Sequence, residues 1–416
     1  MKKIFIIITL ILIITGCKST TSKDLEKTDE VFNFTDNILD SVDIDVYSIY
    51  GRFFNISGIL KTKDNYKVVL KNNELEKEFD IYINDNSDKI TFQTSKLINE
   101  GINLEEIEPG TYIVFLKNND TYYNLKNVSN YKNLEYYTIT QNGKNRKITI
   151  EFTKILDVPY LILNCIDEKL PSDVYDIVID PGHGGKDIGA SYKDYTESKF
   201  NLEYALKLKE ELESLGLKVK LTRETDKSLD NYGEKGRVSI PYITKAKLML
   251  SLHLNSAKLN VGKGGVEIYI ANNSNIDFAK KMAESIVEKT GTIFSTNSSD
   301  RVASGVYLRK LTKSDLDELK KEAERDGYTP YEKATTSSTY YYIIREIGGI
   351  VTGSYIDGRN KKKPSNPYYN SNHGCESYLV ELGYISSDTN LDLLINKKDK
   401  YIEAIKESIK NELNIK

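Results

Sequence analysis

Ile177-Val178-Ile179-Asp180-Pro181-Gly182-His183-Gly184-Gly185 decides the reading of this chain. Three β-branched residues in a row make a short buried strand. The run ends at Pro181 and passes into a Gly-rich turn that carries a histidine. Just beyond, Phe200, Tyr204, Ala205, Leu208, Leu212 and Leu215 recur at helical spacing and stop at Gly216. Thr196 stands where an N-cap belongs, and Glu197 opens the helix. Further apolar strands follow at 219–221, 248–252, 266–270 and 378–382, with helical patterns near 277–290 and 397–413. Strands alternating with helices predict an α/β fold with a mostly parallel or mixed sheet over 173–416.

Upstream the texture differs. Short strand patterns at 45–50, 66–70, 79–83, 111–116, 136–139, 147–153 and 160–166 are separated by turn-type sequence such as Gln141-Asn142-Gly143-Lys144. They predict an all-β, sandwich-like domain over 31–168, joined by a linker at 169–173. This region contains no histidine and its carboxylates are scattered. Its tyrosines (Tyr112, Tyr122, Tyr123, Tyr136, Tyr137) are expected to pack between strands. Within the α/β part, 310–370 breaks the rhythm. A charged helical piece at 314–325, a Thr/Ser/Tyr stretch and a Lys-rich turn at 359–364 read as an insertion near the active face.

The chain has 416 residues, of which 39% are hydrophobic and 29% charged, with a formal charge of −3 and pI about 5.9. Acidic and basic residues are mixed throughout, so no nucleic-acid partner is expected. Residues 4–14 form an apolar run after Lys2-Lys3, too short for the roughly 20 residues of a spanning helix. It reads as the core of a signal peptide over 1–16. Thr15-Gly16-Cys17 resembles a bacterial lipobox, which implies lipidation of Cys17, a tether over 17–30, and anchoring to the outer face of the cytoplasmic membrane. The charge of −3 becomes −5 once Lys2 and Lys3 leave. Cys165 and Cys375 remain, with no disulfide framework between them.

Only three histidines occur: His183, His253 and His373. The first two follow the ends of apolar strands, where open α/β sheets bind their ligands. Glu381 interrupts the apolar run 378–382, a costly place for a carboxylate with no partner. Two imidazoles and one carboxylate form a catalytic zinc ligand set that leaves a position open. A metal there lowers the pKa of a water toward neutrality, and a second carboxylate can shuttle the proton. The gaps of 14 and 56 residues carry no local metal signature, and residue chemistry alone lets either Glu197 or Glu381 be the ligand. A rival pairs Cys375 as nucleophile with His373, two residues away; it leaves His183 and His253 unexplained.

The stretch 179–190 resembles the opening motif of the zinc-dependent N-acetylmuramoyl-L-alanine amidases, which are bacterial cell-wall hydrolases. Leu221-Thr222-Arg223-Glu224-Thr225-Asp226 with Arg237, then Ser251-Leu252-His253-Leu254-Asn255-Ser256, then Val380-Glu381-Leu382-Gly383-Tyr384 resemble its later motifs in order. The resemblance covers about 173–410. It implies a twisted sheet of about six strands flanked by helices. It also implies one Zn2+ per chain on His183, Glu197 and His253, with Glu381 as catalytic base. The activity implied is hydrolysis of the amide between N-acetylmuramic acid and L-alanine in peptidoglycan. Alternatives are a zinc peptidase acting on the stem peptides and a non-catalytic wall-binding lipoprotein. Asn255, Arg237 and His373 are candidate substrate contacts, and Glu376 a rim residue. In some members a helix covers the zinc until an activator protein moves it; 314–325 is the candidate here.

Overall fold

The computed structural model describes residues 37–415 apart from 86–87, 97–99, 128–132, 142, 156, 232–234, 258–263, 273, 327–334 and 348–372. The signal peptide, Cys17, the tether and the Lys-rich turn 359–364 lie outside the described residues. Among those described, no helix is long and apolar enough to cross a membrane.

The C-terminal part is built on a mixed seven-stranded sheet. Its order is Val219–Leu221, Ile177–Pro181, Leu248–Asn255, Glu376–Tyr384, Glu267–Ile270, Val306–Tyr307, Arg301–Ala303. The first four strands are mutually parallel, and Glu267–Ile270 runs antiparallel to its neighbour Glu376–Tyr384. The short pair at 301–307 takes the sheet to seven strands. The central strands are apolar because both faces are covered. On one face pack the helices Glu197–Glu213, Ile276–Thr290 and Lys398–Glu412, burying Tyr204, Leu208, Met282, Ile286, Ile402 and Ile405. On the other lie Ile343, Ile344 and Ile347 from the 310–370 segment, against Val178, Met249 and Leu379.

The N-terminal part is all β, as expected, but its ladder is continuous. Strands at 37–167, joined by His373–Gly374, form one thirteen-stranded sheet, whereas the sequence predicts a sandwich. Register shifts in the first strand (Asn37–Tyr50), between Ile38 and Asp40 and between Ile44 and Val46, are bulges that bend it without ending the pairing. Phe53–Leu60, whose burial alternates strictly, and Thr121–Asn127 are strands the sequence reading passed over. Tyr112, Tyr122, Tyr136 and Tyr137 are buried and pack between strands.

The two parts meet at the N-terminal ends of the C-terminal strands. Asn37–Tyr50 pairs in parallel with His373–Gly374, through Ile49↔His373 and Tyr50↔Gly374. Arg52 forms an ion pair with Glu412 at 2.5 Å. Lys247 lies 3.6 Å from Asp176, both buried, and the Asp176 carboxylate accepts from the backbone N–H groups of Thr140 and Lys218. Glu376, expected at a rim, is buried at this junction with Tyr378 and Asn275.

Candidate metal centre and active cleft

At the opposite, C-terminal ends of the same strands lies a cleft of about 530 Å3, lined among others by His183, Glu197, His253, Asn255, Arg237, Tyr341, Tyr342 and Glu381. His183, Glu197 and His253 converge there: their ligand atoms lie within 4.8 Å of one another. Glu197 Oε1 is 3.1 Å from His183 Nε2 and 3.0 Å from His253 Nδ1. Tetrahedral zinc with bonds of ~2.0–2.1 Å spaces its ligand atoms roughly 3.3 Å apart, so this donor set has the right chemistry and about the right size. Other details fit a metal site. Asp187 Oδ2 holds the other ring nitrogen of His183 at 2.9 Å, the carboxylate–histidine arrangement that fixes a ligating imidazole. The Glu197 carboxylate also accepts from the N–H groups of Ala190 and Leu254.

Local sequence explains this convergence. His183 takes a positive φ of 61°, which turns the chain sharply out of the strand. A side chain on Gly182 would run into the His253 ring at 2.2–2.3 Å, so glycine here is what lets the two histidine turns approach. Two buried arginines hold the turn. Arg223 donates to the carbonyls of Pro181, Gly182 and Ser198. Arg237 binds Asp180 and the carbonyls of Pro181 and His183. The Asp180 carboxylate also accepts from Thr222 and Ser251, tying three neighbouring strands together. Thr196 occupies the N-cap position, but its hydroxyl makes no cap. The first N–H groups of the helix go instead to the Ala190 and Ile188 carbonyls.

Burial pushes the Glu197 carboxyl up, but the two imidazoles outweigh it and hold it well below the usual range. Glu381 goes the other way: burial first, then the charges of Glu197 and Glu267, raise it well above that range. It sits beside His253 in the parallel pairing, and its Oε2 has no hydrogen-bond partner among the described residues. A carboxyl with raised proton affinity in a cleft is suited to proton transfer.

The other candidates fall differently. Arg237 lines the cleft, but its guanidinium is spent on the His183 turn, which makes it a support. Asn255 also lines the cleft, with its amide donating to Glu267 at 2.8 Å. The backbone of His373 lies at the end of its strand region remote from the cleft. It pairs with Ile49 at the junction, and the eight residues to Glu381 span roughly 26 Å of extended chain. Cys375 is buried, and burial pushes its thiol well up, so the Cys375–His373 nucleophile has no physical basis. Among the described residues, the helix Lys313–Asp326 contributes none to the cleft, and from the insertion Tyr341, Tyr342 and Ile343 do. The Tyr342 hydroxyl donates to Asn231 Oδ1 at 2.6 Å. The sequence reading missed Glu267, fully buried directly across from Glu381 in the antiparallel pairing. Its signal was the same as that of Glu381: a carboxylate inside an apolar run.

Residues 177–317 match the family model described as N-acetylmuramoyl-L-alanine amidase. The germination-specific N-acetylmuramoyl-L-alanine amidase of Bacillus subtilis (strain 168) is 28% identical over 195 residues, covering 42% of this chain and 81% of the relative. The probable cell wall amidase LytH of Staphylococcus saprophyticus is 35% identical over 115 residues, covering 26% of this chain; the chain spans about a third (34%) of that relative's length. The solved catalytic domain of the amidase CwlV from Bacillus (Paenibacillus) polymyxa var. colistinus aligns over 58% of this chain and 100% of its own, at 23% identity and a TM-score of 0.39. The similarity to N-acetylmuramoyl-L-alanine amidases therefore lies in the C-terminal part of the chain.

Proposed function

We propose that the protein is a zinc-dependent N-acetylmuramoyl-L-alanine amidase, hydrolysing the amide between the lactyl group of N-acetylmuramic acid and L-alanine in peptidoglycan. The observation that carries the zinc is the convergence of His183 Nε2, Glu197 Oε1 and His253 Nδ1 on one side of the cleft. Zinc bound by these three residues supplies a Lewis acid for the amide carbonyl and a water of lowered pKa. The remaining steps belong to the chain. Glu381 accepts the proton of the attacking water as the new C–O bond forms at the lactyl carbonyl carbon. It then returns that proton to the alanine nitrogen as the C–N bond breaks, leaving a lactyl carboxylic acid and a free amine. Asp187 keeps His183 oriented, and Arg223 and Arg237 hold the turn that carries it.

The test is mass spectrometry of digested peptidoglycan with and without chelator. Free muramic lactyl groups and N-terminal alanine, lost on chelation and restored by zinc, are expected. A new end inside the stem peptide would transfer the reading to a zinc peptidase. The proposal extends to a signal peptide over 1–16, a lipid anchor at Cys17, an accessory β domain over 31–168 and a catalytic domain over 173–416. Stable anchoring takes more than one acyl chain, so Cys17→Ser is expected to release the protein from the detergent phase or to stop its processing. Unchanged partition would refute the anchor.

A further inference from the structure

Glu267 is a fully buried carboxylate, and none of its partners among the described residues is a cation. Four donors converge on it. Oε1 accepts from Ser295 Oγ at 2.5 Å and from the Tyr384 hydroxyl at 2.7 Å. Oε2 accepts from the Tyr269 hydroxyl at 2.7 Å and from Asn255 Nδ2 at 2.8 Å. Four donors thus occupy the two carboxylate oxygens, two on each.

The attachment points of these donors give the arrangement its meaning. Glu267 is the register partner of Glu381, and Glu381 is the register partner of His253, so the three form a row across the sheet. Tyr384 follows Glu381 by three residues, and Asn255 follows His253 by two. Both strand ends at the cleft are therefore pinned to one carboxylate. Among the described residues, Glu381 Oε2 has no hydrogen-bond partner to restrain it. A proton-shuttling carboxylate must be held to a fraction of an ångström, and here the holding falls to the strand beside it.

We propose that Glu267 is the positioning residue for Glu381: it fixes the end of the last strand so that the Glu381 carboxyl stays at the cleft floor. This rests on the amidase reading. The decisive variant is Glu267→Gln, which keeps the size of the side chain. An amide has one acceptor oxygen and an NH2 group, so it opposes at least one donor pair and frees Tyr384 or Asn255.

The experiment uses the full chain loaded with zinc and a soluble muramoyl-peptide. E267Q is expected to lower kcat about tenfold or more, with KM within about twofold and zinc content unchanged. The double variant E267Q/E381Q is expected to be no slower than E381Q alone, because a positioning residue has nothing left to position. A kcat within about twofold of wild type, additive losses in the double variant, or loss of zinc in step with activity would each overturn the proposal. Should E267Q fail to fold, Tyr384→Phe removes a single donor and is expected to show a smaller fall with the same non-additivity. A wild type that releases no N-terminal alanine overturns the amidase reading, and this proposal with it.

Discussion

The two ends of one sheet each hold a group of buried charge, and the two groups behave in opposite ways. At the C-terminal ends, His183, His253, Glu197 and Glu381 surround a cleft, and one carboxylate oxygen is left without a partner. At the N-terminal ends, Asp176, Lys247, Arg52, Glu412 and Glu376 are sealed between the two parts of the chain. The same three strands carry both groups: Asp176 and His183 flank one strand, Lys247 and His253 flank or close the second, and Glu376 and Glu381 lie in the third. Burial of charge is therefore no sign of function in itself. Access separates the working end from the docking end: among the described residues Lys247 Nζ lacks a hydrogen bond at the junction just as Glu381 Oε2 does, but only the latter lines a cleft.

The largest effect that sharpens this contrast is expected for Glu197→Ala. Removing a ligand at the open end should abolish both zinc binding and turnover, while the protein stays folded. Metal analysis beside thermal unfolding checks this, and a fully zinc-loaded variant contradicts the ligand assignment. Glu381→Gln comes next. It is expected to keep about one zinc per chain and to lose about 10²–10⁴ in rate; a metal-free variant would exchange its role with that of Glu197.

At the docking end the expected effects concern stability alone. Lys247→Met removes one partner of a buried pair and leaves Asp176 uncompensated, a loss of about 3 kcal/mol. The urea midpoint should fall accordingly, with kcat unchanged at temperatures well below unfolding. A kcat effect without a stability effect would place the junction in the chemistry after all.

A smaller effect is pH-dependent. Burial raises the folded-state pKa of the Glu376 carboxyl above its ordinary value of 4.5, with Glu412 adding to the shift and the Tyr378 bond opposing it. Its contribution to stability is complete below that ordinary value and drains away as pH rises through the raised one. Glu376→Gln cannot ionise, so its urea midpoint should decline less between pH 4.5 and neutrality than that of wild type. Parallel declines would remove Glu376 from this account. The smallest effect is expected for removing the exposed helix Lys313–Asp326, which contributes nothing to the cleft: turnover should stay within about twofold.

The working end was legible because its residues are chemically rare. Three histidines in the whole chain made the position of each informative, and a carboxylate inside 378–382 broke an otherwise apolar run. The docking end was illegible for the converse reason. Asp176 and Lys247 precede their strands and Glu376 opens its own, where charge ordinarily meets solvent, and Arg52 finds Glu412 only 360 residues away. Pairings that distant leave no periodic trace. His373 was misjudged for the same reason: proximity to Glu381 in sequence hid the length of an extended strand between them. The continuous N-terminal ladder was missed because bulges, which keep the first strand going through two register shifts, read as strand ends.

The parallel pairing of Asn37–Tyr50 with His373–Gly374 makes the molecule a spacer as well as a catalyst. The first strand covers 14 residues, about 45 Å of extended chain, and it delivers the path to the start of Glu376–Tyr384 in the same direction. That strand adds about 30 Å before the cleft is reached. With the anchor proposed at Cys17, the cleft would stand at most roughly 75 Å of strand beyond Asn37 along this path. The membrane would hold one pole of the protein while the other reaches outward, so the distance between bilayer and wall becomes a determinant of which amide bonds lie within range.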